Sequence, residues 1–189
     1  VAVDQARIEA AVAEILAAIG EDPGRVGLES TPQRVAAAYA EFFAGLGRNP
    51  LDHLTDSVPV GESTGDLVLL RDIEFRSVCE HHLLPFLGVA HLAYLPGNRI
   101  VGLGKLANVV ETLAARPQLQ ERLTDEIADA LEAGLAPRGI LVMLDASHGC
   151  VTTRGPRQSR SSTVTLAARG ELADAGYRSE IITLIGGSR

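Results

Sequence analysis

Residues 66–95 read DLVLLRDIEFRSVCEHHLLPFLGVAHLAYL, and this stretch decides the fold. Leu67-Val68-Leu69-Leu70 and then Ile73-Glu74-Phe75-Arg76-Ser77-Val78 supply β-rich side chains in near-alternation, which predicts one strand. Leu87 to Leu95 predicts a second, closed by the turn Pro96-Gly97-Asn98. Downstream, Leu106 to about Ala115 has helical periodicity, Pro117 restarts the chain, and Gln118 to Leu135 predicts a second helix. Gly139 to Ala146 and Ser162 to Ala168 read as further strands, the latter alternating through Thr163-Val164-Thr165-Leu166. The tail from Glu171 to Ile185 reads as helical.

Upstream, Ile8, Val12, Ile15, Leu16 and Ile19 lie at helical spacing, so Asp4 to Ile19 predicts an amphipathic packing helix ended by Gly20. A second helix starts at Thr31-Pro32, with Thr31 as cap and Pro32 at the first helical position, and runs to about Gly45. Asn49 to Gly65 is rich in Pro, Gly, Ser and Asp without periodicity, which predicts a long loop. The sum is one α+β domain over 1–189. Residues 1–48 form an N-terminal helical part, and 66–185 form an antiparallel sheet with a helix pair between its strands.

The 189 residues are 46% apolar, enough for a core without disulfide staples. The 24 acidic against 17 basic side chains give a net charge of -7, which argues against broad attraction to nucleic acid or anionic lipid. An anionic ligand then needs a local basic pocket. No uncharged apolar run approaches the roughly 18 residues of a spanning helix, and the first twenty residues lack a basic leader region. The expectation is a cytoplasmic chain with neither signal peptide nor membrane partner.

Two Cys and five His are present, yet both Cys and three His fall in two short windows, Cys79-Glu80-His81-His82 and His148-Gly149-Cys150. Chance clustering explains this poorly. Thiolate and imidazole are preferred zinc ligands, and Cys79 and His82 can turn toward one ion that Cys150 closes from another strand. Three protein ligands leave a position open, the mark of a catalytic zinc that activates water for attack on carbon. His81 and His148 are then left as acid/base groups beside the metal. The plainer alternatives are buried free thiols with ordinary histidines, or a disulfide, which the lack of a secretory leader disfavours.

The segments Ser77-Val78-Cys79-Glu80-His81-His82-Leu83-Leu84-Pro85-Phe86, His91-Leu92-Ala93-Tyr94-Leu95-Pro96, Pro117-Gln118-Leu119-Gln120-Glu121-Arg122-Leu123-Thr124 and His148-Gly149-Cys150 with Arg154-Gly155 closely resemble GTP cyclohydrolase I. Gly20-Glu21-Asp22-Pro23 and Thr31-Pro32-Gln33-Arg34-Val35 extend the match, so it covers residues 5 to 172. The resemblance implies a zinc enzyme of the tunnelling fold, an antiparallel sheet with a helix pair on one face, assembled as a homodecamer with sites at subunit boundaries. It implies hydrolysis of C8 of GTP to formate and reclosure to 7,8-dihydroneopterin triphosphate, a first step of pterin and folate synthesis. By position, zinc falls on Cys79, His82 and Cys150, and proton transfer on His81 and His148. Glu121 corresponds to the carboxylate gripping the guanine N1 and 2-amino hydrogens, and Gln120 to a neighbouring base contact. Without the resemblance, Glu121 reads as a solvated helix residue.

Arg34, Lys105 and Arg154 match the family's phosphate-side cations, and the resemblance implies that Arg34 reaches a neighbour's zinc site. The family's Gly-Leu-Ser-Lys is Gly102-Leu103-Gly104-Lys105 here, Asn108 replaces a usual Arg, and Ala37 a common Lys. Val26 replaces an acidic residue. Arg157 and Arg160 add charge in the loop after Arg154. Two other expectations compete: a paralogue acting on a less phosphorylated guanine nucleoside or nucleotide, and a catalytically silent binding or structural subunit. Retention of every zinc and acid/base residue argues against the second.

Overall fold

A computed structural model describes residues 2–60 and 66–187; the end of the expected loop, 61–65, lies outside them. Strand β2 (Val68–Cys79) pairs antiparallel with β3 (Pro85–Leu95), β3 with β6 (Gly139–His148), and β6 with β7 (Thr163–Gly170). The two-residue β5 (Pro117–Gln118) adds to the outer edge of β2 in parallel, opposite Val78 and Cys79, giving the order β5-β2-β3-β6-β7. A separate ribbon joins β1 (Val58–Pro59) to β4 (Arg99–Ile100). The layout is the expected sheet with a helix pair on one face.

That pair is α3 (Leu103–Ala114) and α4 (Gln120–Leu135). Alternation in the strands sends Phe86, Ala90, Leu92, Tyr94, Val142 and Leu144 to the helix side, where they meet Leu106, Val110, Leu123, Ile127 and Leu131 in the main core. The opposite face is partly covered by α6 (Ala175–Gly186), with Leu172 and Ile181 closing on Ala93, Leu95 and Leu141. Leu131 has no exposed surface. Leu131→Ala should therefore cost roughly 2–5 kcal/mol through lost burial and a residual cavity. Denaturant unfolding at fixed protein concentration should show a lower midpoint at unchanged slope.

Several boundaries differ from the sequence expectation for local reasons. Helix α4 begins at Gln120 because Pro117 and Gln118 are drawn into the sheet as β5. Strand β2 is continuous through a bulge between Leu70 and Ile73, where Asp72 takes φ +56° and its N–H donates to Nδ1 of buried His91 at 3.3 Å. The tail is split into a 3-10 turn, Glu171–Ala173, and α6, which Asp174 caps. The expected loop holds a 3-10 turn at Pro50–Leu54 and then β1.

At the N-terminus, α1 (Gln5–Ala18), capped by Asp4, packs on α2 (Thr31–Phe42). Ile15 and Ile19 of the expected packing stripe are nonetheless 58% and 69% exposed. Thr31 is the first helical residue rather than the cap, its hydroxyl donating back to Gly27 O. Helix α2 stops at Phe42, before Gly45, whose backbone docks against the end of α3: a Cβ there would lie 2.0 Å from Thr112 O. Among the described residues no helix is long and apolar enough to cross a membrane.

Candidate functional site

Strand β2 ends on Cys79, which is buried. The chain then reverses over Glu80–Leu84, held by Leu83 N–H to Cys79 O (2.8 Å) and Cys79 N–H to Leu84 O (2.9 Å), with Leu83 at φ +52°. His81 and His82 project from this turn into solvent, their rings 6.4 Å apart. Strand β6 ends beside it on His148, paired with Phe86, and the one-turn helix α5 (Gly149–Thr152) carries Cys150. Gly149 permits this approach, since a Cβ would lie 2.8 Å from Pro85 O.

Register thus brings the two sequence windows to one end of the sheet. Cys150 packs against the core cluster that contains Cys79, near enough for the two thiols to act on each other. Burial pushes the Cys150 thiol up, the Cys79 thiol adds to the rise, and the Arg154 charge opposes it. Both cysteines are free, which removes the disulfide alternative. His82 Nε2 lies 2.9 Å from Nη1 of Arg154. A guanidinium only donates, so this Nε2 is the acceptor and the His82 proton is on Nδ1.

Among the described residues no three His, Cys, Asp or Glu side chains converge around one point as a metal-holding group. The donor chemistry nevertheless fits zinc. Two neighbouring thiols, with an imidazole on the same turn as Cys79 whose Nε2 lone pair accepts from Arg154, are the soft and borderline donors that zinc takes once the thiols lose their protons and Arg154 releases the lone pair.

His148 is held on two sides. Its ring stacks on Phe86 with centroids 4.6 Å apart and planes 4° from parallel. Its Nε2 lies 2.7 Å from Gln120 Oε1. The Gln120 side chain is 1% exposed, and its Nε2 faces Leu144 O (3.2 Å), Thr163 O (2.8 Å) and Thr165 Oγ1 (3.1 Å). Two of these are carbonyls, which only accept, so the NH2 end of the amide must point there and Oε1 must point at His148. The hydroxyls complete one directional chain, Thr165 donating to Thr124 (2.7 Å) and Thr124 to Gln120 O (2.7 Å). The neutral His148 consequently carries its proton on Nε2 and leaves Nδ1 as its basic atom. Burial lowers its pKa, and the Glu121 charge partly restores it.

Gln120, expected beside the base, thus has its side-chain amide committed inside the protein as the support of His148. Sequence reasoning missed this role, for which no local signal exists. Glu121 is exposed, and its field reaches His148. Arg154 belongs to the cluster through His82. The other two expected cations make different contacts. Lys105 Nζ is paired with Asp56 at 3.0 Å, and Arg34 donates to Gly27 O and Thr31 Oγ1, both at 3.3 Å. Asn108 lines a separate cavity of about 510 Å³ between α2, β2 and α3, together with Glu74, Arg76 and Glu111. None of the cysteines or histidines of the cluster lines it.

The model of the family described as GTP cyclohydrolase I matches residues 8–186. A GTP cyclohydrolase 1 of Leifsonia xyli is 65% identical over 183 residues, covering 97% of this chain and 96% of that protein. One of Halalkalibacterium halodurans is 51% identical over 187 residues, covering 98% of each. Among solved structures, an apo archaeosine synthase QueF-Like superposes with a TM-score of 0.48 at 17% identity, over 57% of this chain and 97% of that one. With a family model spanning almost the whole sequence and relatives matched end to end, the chain belongs to the GTP cyclohydrolase I family.

Proposed function

We propose that this chain is a zinc-dependent cyclohydrolase that opens the purine ring of GTP at C8, releases that carbon as formate and recloses the product to 7,8-dihydroneopterin triphosphate. One observation carries the reading: in a member of this family, strand register brings Cys79, Cys150 and a tautomer-fixed His148 to one end of the sheet, within the field of the Glu121 carboxylate. Cys79, His82 and Cys150 would hold zinc, which when bound supplies the Lewis acidity to activate water near neutral pH. His148 accepts a proton at Nδ1, and His81, exposed on the same turn as His82, serves as a second proton carrier for a sequence with several transfers. Glu121 selects guanine by accepting from N1–H and the 2-amino group, a pair adenine does not offer.

The phosphates require cations. Arg154 is in place, and Lys105 can exchange Asp56 for phosphate at little cost, because that pair is exposed. Arg34, which within its own chain donates to Gly27 O and Thr31 Oγ1, would serve the site of a neighbouring copy in the homodecamer we propose for this cytoplasmic enzyme. Among the described residues Arg157 and Arg160 make no side-chain hydrogen bond or ion pair, so both are free to offset the charges absent at Ala37 and Asn108.

The test is parallel incubation with GTP, GMP and guanosine, with formate measured and products identified by mass spectrometry. Dihydroneopterin triphosphate from GTP supports the reading, and Arg160→Ala or Arg157→Ala should then raise KM for GTP while barely affecting GMP. Equal kcat/KM for GMP or guanosine would instead make the substrate a less phosphorylated one. Absence of formate with all three overturns the proposed function.

A further inference from the structure

The turn that carries Cys79 and His82 is fastened to the first turn of α4. Glu80, between the two candidate ligands, receives two parallel hydrogen bonds from Arg122: Nη1 to Oε2 at 2.9 Å and Nη2 to Oε1 at 2.9 Å. Its backbone N–H donates to Gln118 O at 3.1 Å, continuing the parallel bridge of Cys79 with Gln118. Arg122 follows directly on Gln120, which holds His148, and Glu121, whose charge reaches His148. Three consecutive residues of α4 therefore act on both halves of the site.

We propose that Glu80 and Arg122 are positioning residues for metal binding: their bidentate fork sets the angle at which the Cys79–His82 turn faces Cys150 and His148. The inference rests on the zinc reading above. Side chains 32% and 45% exposed make an ion pair of small intrinsic worth. Its value is geometric, because a planar two-point contact fixes direction where a point charge does not. Groups that orient ligands typically alter metal affinity by roughly 10- to 100-fold when removed.

The experiment loads the full chain with zinc, adds an excess of a metallochromic chelator and records the release rate, alongside thermal melting and the absorption spectrum of the cobalt-substituted protein. Arg122→Ala and Glu80→Gln should each speed zinc release by roughly 10- to 100-fold and shift the cobalt bands, with melting little changed. The double variant should match the singles, since either change removes the same contact. Arg122→Lys should rescue only part. Glu171→Gln, which breaks the comparably exposed pair with Arg138, should leave release unchanged. Unaltered release in both singles, additive effects in the double variant, or equal acceleration by Glu171→Gln would overturn the proposal. A wild-type chain that takes up no zinc overturns the metal reading itself, and this one with it; a wild type that holds zinc while the variants hold it equally defeats only the role of the pair.

Discussion

Cys150→Ala is expected to yield a folded protein that retains little zinc and releases no measurable formate from GTP. The thiol is a candidate ligand on the short helix α5, near Cys79 at the end of β2, so its removal takes away the one candidate cysteine ligand of the second sequence window. A three-ligand site has no spare donor, and His82 and Cys79 alone form a two-point contact on one turn. Metal content by atomic emission is the primary readout, because turnover is lost for many reasons. Near-stoichiometric zinc in Cys150→Ala would remove Cys150 from the ligand set, whatever happened to activity. The core beneath is built by other residues, so the far-ultraviolet spectrum of the variant should match that of wild type.

Much of this arrangement is legible in sequence. Alternation in 67–78 and 87–95 locates β2 and β3, and the next windows locate β6 and β7, because each strand buries one face under α3 and α4. Clustering of Cys and His points to the site because these residue types share one chemistry. The rest depends on contacts between distant segments. Two residues of β5 carry no periodicity, so the parallel bridge that starts α4 late has no local signature. Gln120 reads as a polar residue at a helix start. Its role is set by Thr163 O and Leu144 O, 43 and 24 residues away. The pairing of Glu80 with Arg122 spans 42 residues and resembles any exposed charge until its fork geometry is seen.

His148→Ala should lower formate release by roughly 10²- to 10⁴-fold while zinc content stays at the wild-type level, as for loss of a positioned acid/base group. The support of this ring adds a sharper test. With Nε2–H donated to Gln120, the imidazole presents Nδ1 as its only basic atom, and the stack on Phe86 fixes the plane in which it acts. Nitrogen chemical shifts of labelled protein should therefore report Nε2–H for neutral His148. Gln120→Leu removes the acceptor, so both tautomers become populated and kcat should fall with little change in metal content. Burial places the His148 pKa below the ordinary imidazole value, so between those two values the unfolded chain binds more protons than the native one. The contribution of His148 to stability then rises with pH across that window, and the acid limb of kcat should lie below the midpoint of an ordinary histidine. Glu121→Gln removes the charge that opposes the shift and should move the His148 titration, followed by its ring nitrogen shifts in the substrate-free protein, lower still. An Nδ1–H tautomer in the wild type would refute the Gln120 assignment, and full formate release by His148→Ala would remove this ring from the chemistry.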